Sequence, residues 1–489
     1  MNPGLRSSRN TIGLAWSIFV SMPPVLATLL LCAATFAAAV MADEPVPAAA
    51  TAPQAIDQRM EAYDQFKAMF ETARFEETLP LAQRVVELSE TDRDRDTELP
   101  TAYNNLGATQ YQLGNYQAAE ASYQKSLTLL EESQGISSKR MITPLAGLGA
   151  VYAALDQHAL AVQQFDRALA VSRRSEGLFN LAQLPMIEQA ANSRFALGDY
   201  AGVERDHFYA LRIAEQNYGF EDSRTLPALM RLASFYESVG EFAGARGLYL
   251  RVRDISMKES GGFNPLTVES LVAIGRTHRM QFTLEPQSPG DTDAQRDPVT
   301  ADPFGAAHQI SRAPSAVGHP GLKSIELALQ MLRATPDPPR MLLAKALTEL
   351  GDWYQATSRA STALPYYAEA STIYVAETGT GMGNPLLTPR MISYRPPLAA
   401  KRSAGVDASE VVERRAVFSF VVGESGDTQN VTLVTTDMSD GQLAQCRRAI
   451  EHAVYSPRFE NGKPVATEGV QFTSKWYEQR KPEAPSSTG

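Results

Sequence analysis

The stretch Leu106-Gly-Ala-Thr-Gln-Tyr-Gln-Leu-Gly-Asn-Tyr-Gln-Ala-Ala-Glu-Ala-Ser-Tyr123 decides the fold, because it returns. Forty-two residues later it reads Leu148-Gly-Ala-Val-Tyr-Ala-Ala-Leu-Asp-Gln-His-Ala-Leu-Ala-Val-Gln-Gln-Phe165. The rows continue through two further copies. Gly114, Asp156, Gly198 and Gly240 form one row, and Tyr116, His158, Tyr200 and Phe242 another. Ala119, Ala161, Val203 and Ala245 form a third, with Tyr123, Phe165, His207 and Tyr249 a fourth. Gly135, Gly177, Gly219 and Gly261 close the units. Independent rows in one register mark a structural repeat.

Each unit reads helix, turn, helix. Gly107, Gly149, Ala191 and Ala233 are small enough to let two helices approach. The aromatics of the 116 and 123 rows are expected in the core between helices, and the 114 row supplies a left-handed turn. The array is expected to span 55–282, with 55–92 a degenerate first repeat on Arg74-Phe75, Ala82 and Val86. Residues 283–320, rich in Pro, Gly and Asp, read as a disordered insertion. Residues 321–380 resume the array at Leu322–Ala334, Leu350-Gly351, Tyr354, Ala363, Tyr367 and Ala370, for about six helix pairs in all.

This pattern resembles the tetratricopeptide repeat in the longer form of kinesin light chain. The usual unit is ~34 residues, so the extra residues near Gly135 and its equivalents predict longer connections between repeats. Such a unit buries its face only against neighbours, and the product is an α-solenoid with a concave groove. The resemblance implies that the groove holds peptides or proteins. Candidate groove residues are Asn104, Asn105, Tyr111 and Gln112, then Glu188 and Asn192, then Arg231, Ser234 and Glu237. An amide side chain suits this role because it both donates to and accepts from a ligand backbone.

The helical period stops after Gly379. A linker is expected over 381–409, then a small α+β domain over 410–480 and a disordered tail over 481–489. Arg415–Val422 and Asn430–Thr435 read as strands around the turn residues Gly423–Asp427. Ser439–Val454 reads as an amphipathic helix, Asn461-Gly462 as a turn and Val470–Trp476 as a last strand. Tyr394-Arg-Pro-Pro-Leu398, the Gly426 hairpin and Asn461-Gly-Lys-Pro-Val465 make this module resemble the C-terminal domain of TonB, with a longer polar stretch at Lys401–Glu413. The resemblance implies partner binding by strand addition to an exposed edge, through Arg415–Val422 or Val470–Trp476.

Arg6 and Arg9 followed by the apolar run Val25–Ala42 read as a signal peptide over 1–42, cleaved before Asp43. The alternative is an uncleaved anchor. Residues 11–42 contain no His, Lys, Arg, Asp or Glu. Cleavage would remove Cys32 and leave Cys446, whose helical setting reads as a buried structural thiol. Lys+Arg number 45 against Asp+Glu 55, a net charge of −10. Residues 43–380 hold 30 basic and 43 acidic side chains, while 381–489 hold 13 and 12. That asymmetry separates two modules, and acidity argues against nucleic acid as a partner.

The six histidines show no metal-ligand spacing, and no phosphate-binding, nucleophile-elbow or redox-cysteine motif occurs. The expectation is a non-enzymatic periplasmic scaffold of a Gram-negative bacterium, without cofactor. It would bind one protein on its repeats and a cell-envelope or outer-membrane protein through the TonB-like module. The alternatives are an inner-membrane energy transducer of the TonB type and an enzyme with an unrecognised site.

Overall fold

A computed structural model describes residues 52–91, 95–284, 319–378, 383–397 and 411–479. The expected signal or anchor segment 1–42, nearly all of the 283–320 insertion and the 481–489 tail lie outside them. The chain divides into two compact units, one running to Ala228 and the other from Leu229 onward.

The first unit pairs α1 (Ala52–Glu71) with α2 (Phe75–Glu90), α3 (Arg95–Gln112) with α4 (Tyr116–Gln134), α5 (Ile142–Ala154) with α6 (His158–Glu176), and α7 (Leu184–Ala196) with α8 (Tyr200–Tyr218). The boundary between units falls within α9 (Leu226–Ser238). The second unit continues with α10 (Phe242–Ser260), α11 (Pro265–Leu284), α12 (Pro320–Ala334), α13 (Arg340–Ala356) and α14 (Ala360–Thr378). The described residues thus hold seven helix pairs, where the sequence pattern suggested about six. Helices α11 and α12 pack as a pair although residues 285–318 separate them. Closing a long connection adds little more entropy cost than closing a moderate one.

One turn recurs within the pairs. The backbone N–H of Asn115 donates to Gln110 O at 2.9 Å, Gln157 to Tyr152 O at 2.8 Å, Asp199 to Arg194 O at 2.9 Å and Glu241 to Tyr236 O at 2.8 Å. Each spans five residues, as in a Schellman C-cap, and each needs a left-handed residue just before it. Gly114, Asp156, Gly198 and Gly240 supply it, at φ of 75, 57, 72 and 83°. The degenerate first pair does the same with Ala73, and α13–α14 with Ser358.

The added length of the repeat is not spent on long connections. It lies in second helices of 19 residues, α4, α6, α8 and α10, and in a short 3-10 turn before the next helix. Ser138, Asn180 and Asp222 cap those 3-10 turns by accepting from the backbone N–H two residues on.

The aromatic rows divide by depth. Tyr123, Phe165 and Tyr249 are buried, whereas Tyr116 and Tyr200 are only half-buried and Phe242 alone of its row is in the core. The deep rings lie against the small-residue row of the same pair. A Cβ at Gly149 would stand 2.9 Å from the Phe165 ring, and one at Gly351 would stand 2.5 Å from the Tyr367 ring. The glycines therefore make room for a ring, not merely for a neighbouring backbone.

The chain then builds β1 (Arg390–Ser393), β2 (Val411–Val422), β3 (Thr428–Thr436), α15 (Asp440–Glu451), β4 (Val454–Ser456), β5 (Arg458–Glu460), β6 (Lys463–Val465) and β7 (Thr467–Gln479). The antiparallel sheet has the order β3-β2-β7. Phe418, Phe420 and Val422 point from β2 into a core shared with Cys446 and Ile450 of α15 and with Trp476. Cys446 is fully buried, and burial pushes its thiol up. The helix ends before Val454, which belongs to β4, and it starts in a capping box between Ser439 and Gln442.

The stretch 383–397 is no free linker. Strand β1 pairs with β4, Leu386 is fully buried, and the Tyr394 ring lies 4.7 Å from that of Phe472. Among the described residues no helix is long and apolar enough to cross a membrane.

Replacing Phe165 by Ala should lower the stability of the surrounding repeats by ~3–5 kcal/mol. Tyr116→Ala, at a half-buried site, should cost about 1–2 kcal/mol by lost apolar burial. Urea unfolding of both variants checks this order, and equal losses would contradict the depth assigned to the two rows.

Candidate protein-binding site

On the first unit, α3 carries Asn104, Asn105, Tyr111 and Gln112. Asn104 donates its Nδ2 to Asn105 Oδ1 at 3.4 Å. Asn105 is 5% exposed, yet its buried Nδ2 has no hydrogen-bond partner among the described residues, and neither has the buried Oδ1 of Asn104. A buried amide left with one open donor and one open acceptor is costly unless something completes it. An extended peptide backbone offers the matching carbonyl and N–H. Tyr111 is half-buried with its ring 5.6 Å from Tyr116, and burial holds its hydroxyl pKa above the usual range. Gln112 and Asn192 are exposed, and Glu188 is half-buried.

On the second unit the three candidates differ. Arg231 is exposed. Glu237 accepts from the Tyr249 hydroxyl at 2.8 Å and from Arg276 Nη2 at 2.9 Å, and Ser234 lies 3.3 Å from the same hydroxyl. Ser234 and Glu237 are therefore engaged in tying α9 to α10 and α11, a role that residue type alone did not reveal.

The sheet offers a different kind of surface. Strand β2 is paired on both sides, with β3 and with β7, so Arg415–Val422 cannot accept an added strand. That alternative is overturned, because no backbone hydrogen-bonding group of a central strand faces outward. Strand β7 is paired along its length with β2, from Val411↔Gln479 to Val422↔Thr467. Among the described residues no strand lies on its other side. Gln471, Thr473 and Lys475 are exposed along it. A lysine and the left-handed Gly469 are features by which edge strands discourage unspecific pairing.

This sheet is fixed to the last repeats by a buried polar junction. Asp352 on α13 is 2% exposed. It accepts from Arg390 at 2.7 and 3.1 Å and from the Tyr367 hydroxyl at 2.8 Å, while Arg279 stands 3.6 Å away. Arg279 in turn binds Glu349 at 2.6 and 3.2 Å. Two guanidinium groups thus face two carboxylates, and the buried charges cancel. Burial and the neighbouring Asp352 hold the Tyr367 hydroxyl well above the usual range. Beside this network Gln355 donates to the backbone carbonyls of Ser425 and Tyr455 at 2.6 and 2.9 Å. Phe459 enters the core of α11–α14, with its ring 5.9 Å from Tyr367 and its N–H donating to Leu386 O at 2.8 Å.

Nearby, His278 and His319 stack edge-on at 5.1 Å, and the His319 ring is 4.9 Å from Trp353. His319 also accepts from Gly321 N at 3.0 Å, capping α12. Burial, Arg246 and His319 push His278 down to about 3. Among the described residues no group of three or more His, Cys, Asp or Glu is placed to hold a metal.

Removing Asp352 strands Arg390 in the junction, and breaking a buried pair in this way costs about 3–5 kcal/mol. Asp352→Ala should therefore open the 383–397 segment to proteolysis while α3–α8 stay protected; unchanged protection would refute the junction's role. His278 imposes a pH dependence. Its neutral form contributes stability above its unfolded pKa near ~6.5, and this is lost as pH falls toward the folded value. His278→Gln should flatten the decline of the melting temperature on the acid side, and an identical decline would contradict it.

Residues 67–132 match the tetratricopeptide repeat family. A search of curated proteins finds no match. Among solved structures, the nearly identical TPR-like repeats of a Podosopora anserina chain named for kinesin light chain share 17% identity, at a TM-score of 0.38, covering 42% of this chain and 97% of that one. BtubC (BKLC) from P. vanneervenii shares 15%, at 0.38, over 50% of this chain and 90% of that one. The C-terminal part of a TPR repeat-containing protein from Cytophaga hutchinsonii shares 12%, at 0.39, over 66% and 97%. The chain is thus a mostly helical repeat protein containing a tetratricopeptide match, with a small C-terminal sheet.

Proposed function

We propose that this protein is a non-enzymatic scaffold of the Gram-negative periplasm, released there by removal of residues 1–42. Tetratricopeptide proteins generally mediate protein–protein interaction. The observation that carries the reading here is the amide pair of Asn104 and Asn105, whose buried Oδ1 and Nδ2 have no hydrogen-bond partner among the described residues. That surface takes an extended segment of one protein. The β7 edge takes a strand of a second, cell-envelope protein by main-chain hydrogen bonding, as the likeness of 410–480 to the TonB C-terminal domain suggests. Binding of this kind is not energised. A transducer is driven through a charged or titrating His, Lys, Arg, Asp or Glu in the bilayer, where such groups are costly and functional, and residues 11–42 have none of these five.

Photo-crosslinking side chains placed at Gln112 and at Thr473 of the full chain, in living cells, test the two surfaces separately. Each position should capture a protein, and Asn105→Leu should abolish capture at Gln112 while leaving capture at Thr473. Capture at neither position, or no effect of Asn105→Leu, overturns the reading. In a strain lacking its own TonB, this chain should not restore gradient-dependent uptake through an outer-membrane receptor; restored uptake would establish the transducer instead.

A further inference from the structure

Asn461-Gly462 is the single Asn-Gly pair of the chain. It forms the two-residue loop between β5 and β6, where Glu460 pairs with Lys463, Phe459 with Pro464 and Arg458 with Val465. Both loop residues are left-handed, at φ of 50 and 74°, as a tight hairpin asks of such a pair. Asn461 is exposed. Among the described residues, no hydrogen bond engages its carboxamide or the Gly462 N–H. An amide carbon and the backbone nitrogen of the next residue are therefore both uncommitted, at a position that water reaches. We propose that Asn461 is a site of self-modification, where the chain converts its own amide to a carboxylate and in part reroutes its backbone.

The chemistry needs only water. The Gly462 nitrogen, its proton taken by hydroxide, attacks Cγ of Asn461. A C–N bond forms, the bond from Cγ to Nδ2 breaks, and Nδ2 leaves as ammonia. The product is a five-membered succinimide. Water then opens the ring at either carbonyl. One opening gives aspartate; the other gives isoaspartate, whose main chain runs through Cβ. Nothing is oxidised or reduced. Glycine at 462 favours the attack, because no side chain crowds the closing ring.

The fold sets when this happens. Ring closure turns the Asn461 backbone out of the left-handed form, which the loop cannot do while Glu460 pairs with Lys463. The hairpin is in turn held by the last repeat. A Cβ at Gly462 would stand 3.3 Å from Thr372 Oγ1 of α14. Phe459, at the base of the same hairpin, lies in the core of α11–α14, and its N–H donates to Leu386 O at 2.8 Å. The turn is thus released when the joint between sheet and repeats opens. Isoaspartate adds a main-chain atom to a loop of two residues, so Glu460 and Lys463 lose their register and Gly462 leaves Thr372. The modification follows opening and does not reverse. A chain whose joint has opened long enough is therefore held open.

Ageing of the full chain in mildly alkaline buffer, followed by digestion and mass spectrometry, tests this. Asn461 should convert before any other asparagine of the folded chain, to both aspartate and isoaspartate. Asp352→Ala loosens the joint from outside the turn and should speed the conversion ~tenfold or more, because the rate follows the population of the open form. Phe459→Ala, which removes the anchor of the hairpin, should do the same. Aged chain enriched in isoaspartate should be cut sooner within 383–397 than fresh chain. Asn461→Asp, which adds the charge without the extra main-chain atom, should be cut no sooner than fresh chain. An Asn461 that stays intact in the folded chain, while urea-unfolded chain converts it, overturns the site. Another asparagine converting first, or rates in Asp352→Ala and Phe459→Ala equal to that of the unaltered chain, overturns the proposal as well. So does aged chain cut no sooner than fresh chain, or Asn461→Asp cut as soon as aged chain.

Discussion

The second unit depends on a carboxylate that water does not reach. Asp352 sits on the last repeat's first helix, and every group around it comes from a different element: Arg279 from α11, Tyr367 from α14, Arg390 from β1. A charge buried to this degree is tolerated only with its partners in place, since desolvation of an ion costs several kcal/mol. The network therefore specifies geometry more than it adds net stability. It fixes where β1 lies, and β1 fixes β4 by pairing. Gln355 and Phe459 complete the joint, one by reaching two backbone carbonyls and the other by entering the repeat core. The outcome is a sheet that closes the end of a repeat array, where an unclosed array would leave its last apolar face open.

Within the repeats the controlling constraint is steric. A ring from the second helix occupies space that a Cβ on the first would fill, as at Gly149 with Phe165 and at Gly351 with Tyr367. The turn between the helices is set by a left-handed residue and its five-residue hydrogen bond. Both devices are local, so each can be repeated along a chain without reference to distant contacts. This is why the array survives interruption by residues 285–318, and why its first pair can drift in sequence while keeping Ala73 in the same conformation.

What was legible in the sequence follows from the same distinction. The helix pairs, the 114-row turns and the sheet strands are local, and periodicity reveals them. The depth of the two aromatic rows was not legible, because residue type does not say which ring meets a glycine. Nor could composition distinguish a Pro- and Gly-rich linker from a buried joint: Leu386 and Arg390 acquire their roles only from α13 and α14, far away in sequence. The edge of the sheet depends on strand order, which the pattern of single strands leaves open. The candidate binding residues follow from their place on the first helix of each unit, and that place does not say which of them the chain itself engages. Ser234 and Glu237 are such positions, yet the Tyr249 hydroxyl engages both and Arg276 engages Glu237.

The central claim is that the last repeats and the C-terminal sheet form one body and not a scaffold with a tethered arm. Native-state hydrogen exchange of the whole chain tests it most directly. Amides in the middle of β2 and of α13 should exchange through the same opening, with equal free energies and equal dependence on added denaturant. Exchange of the β2 amides through a separate, lower-energy opening that leaves α13 protected would contradict the account.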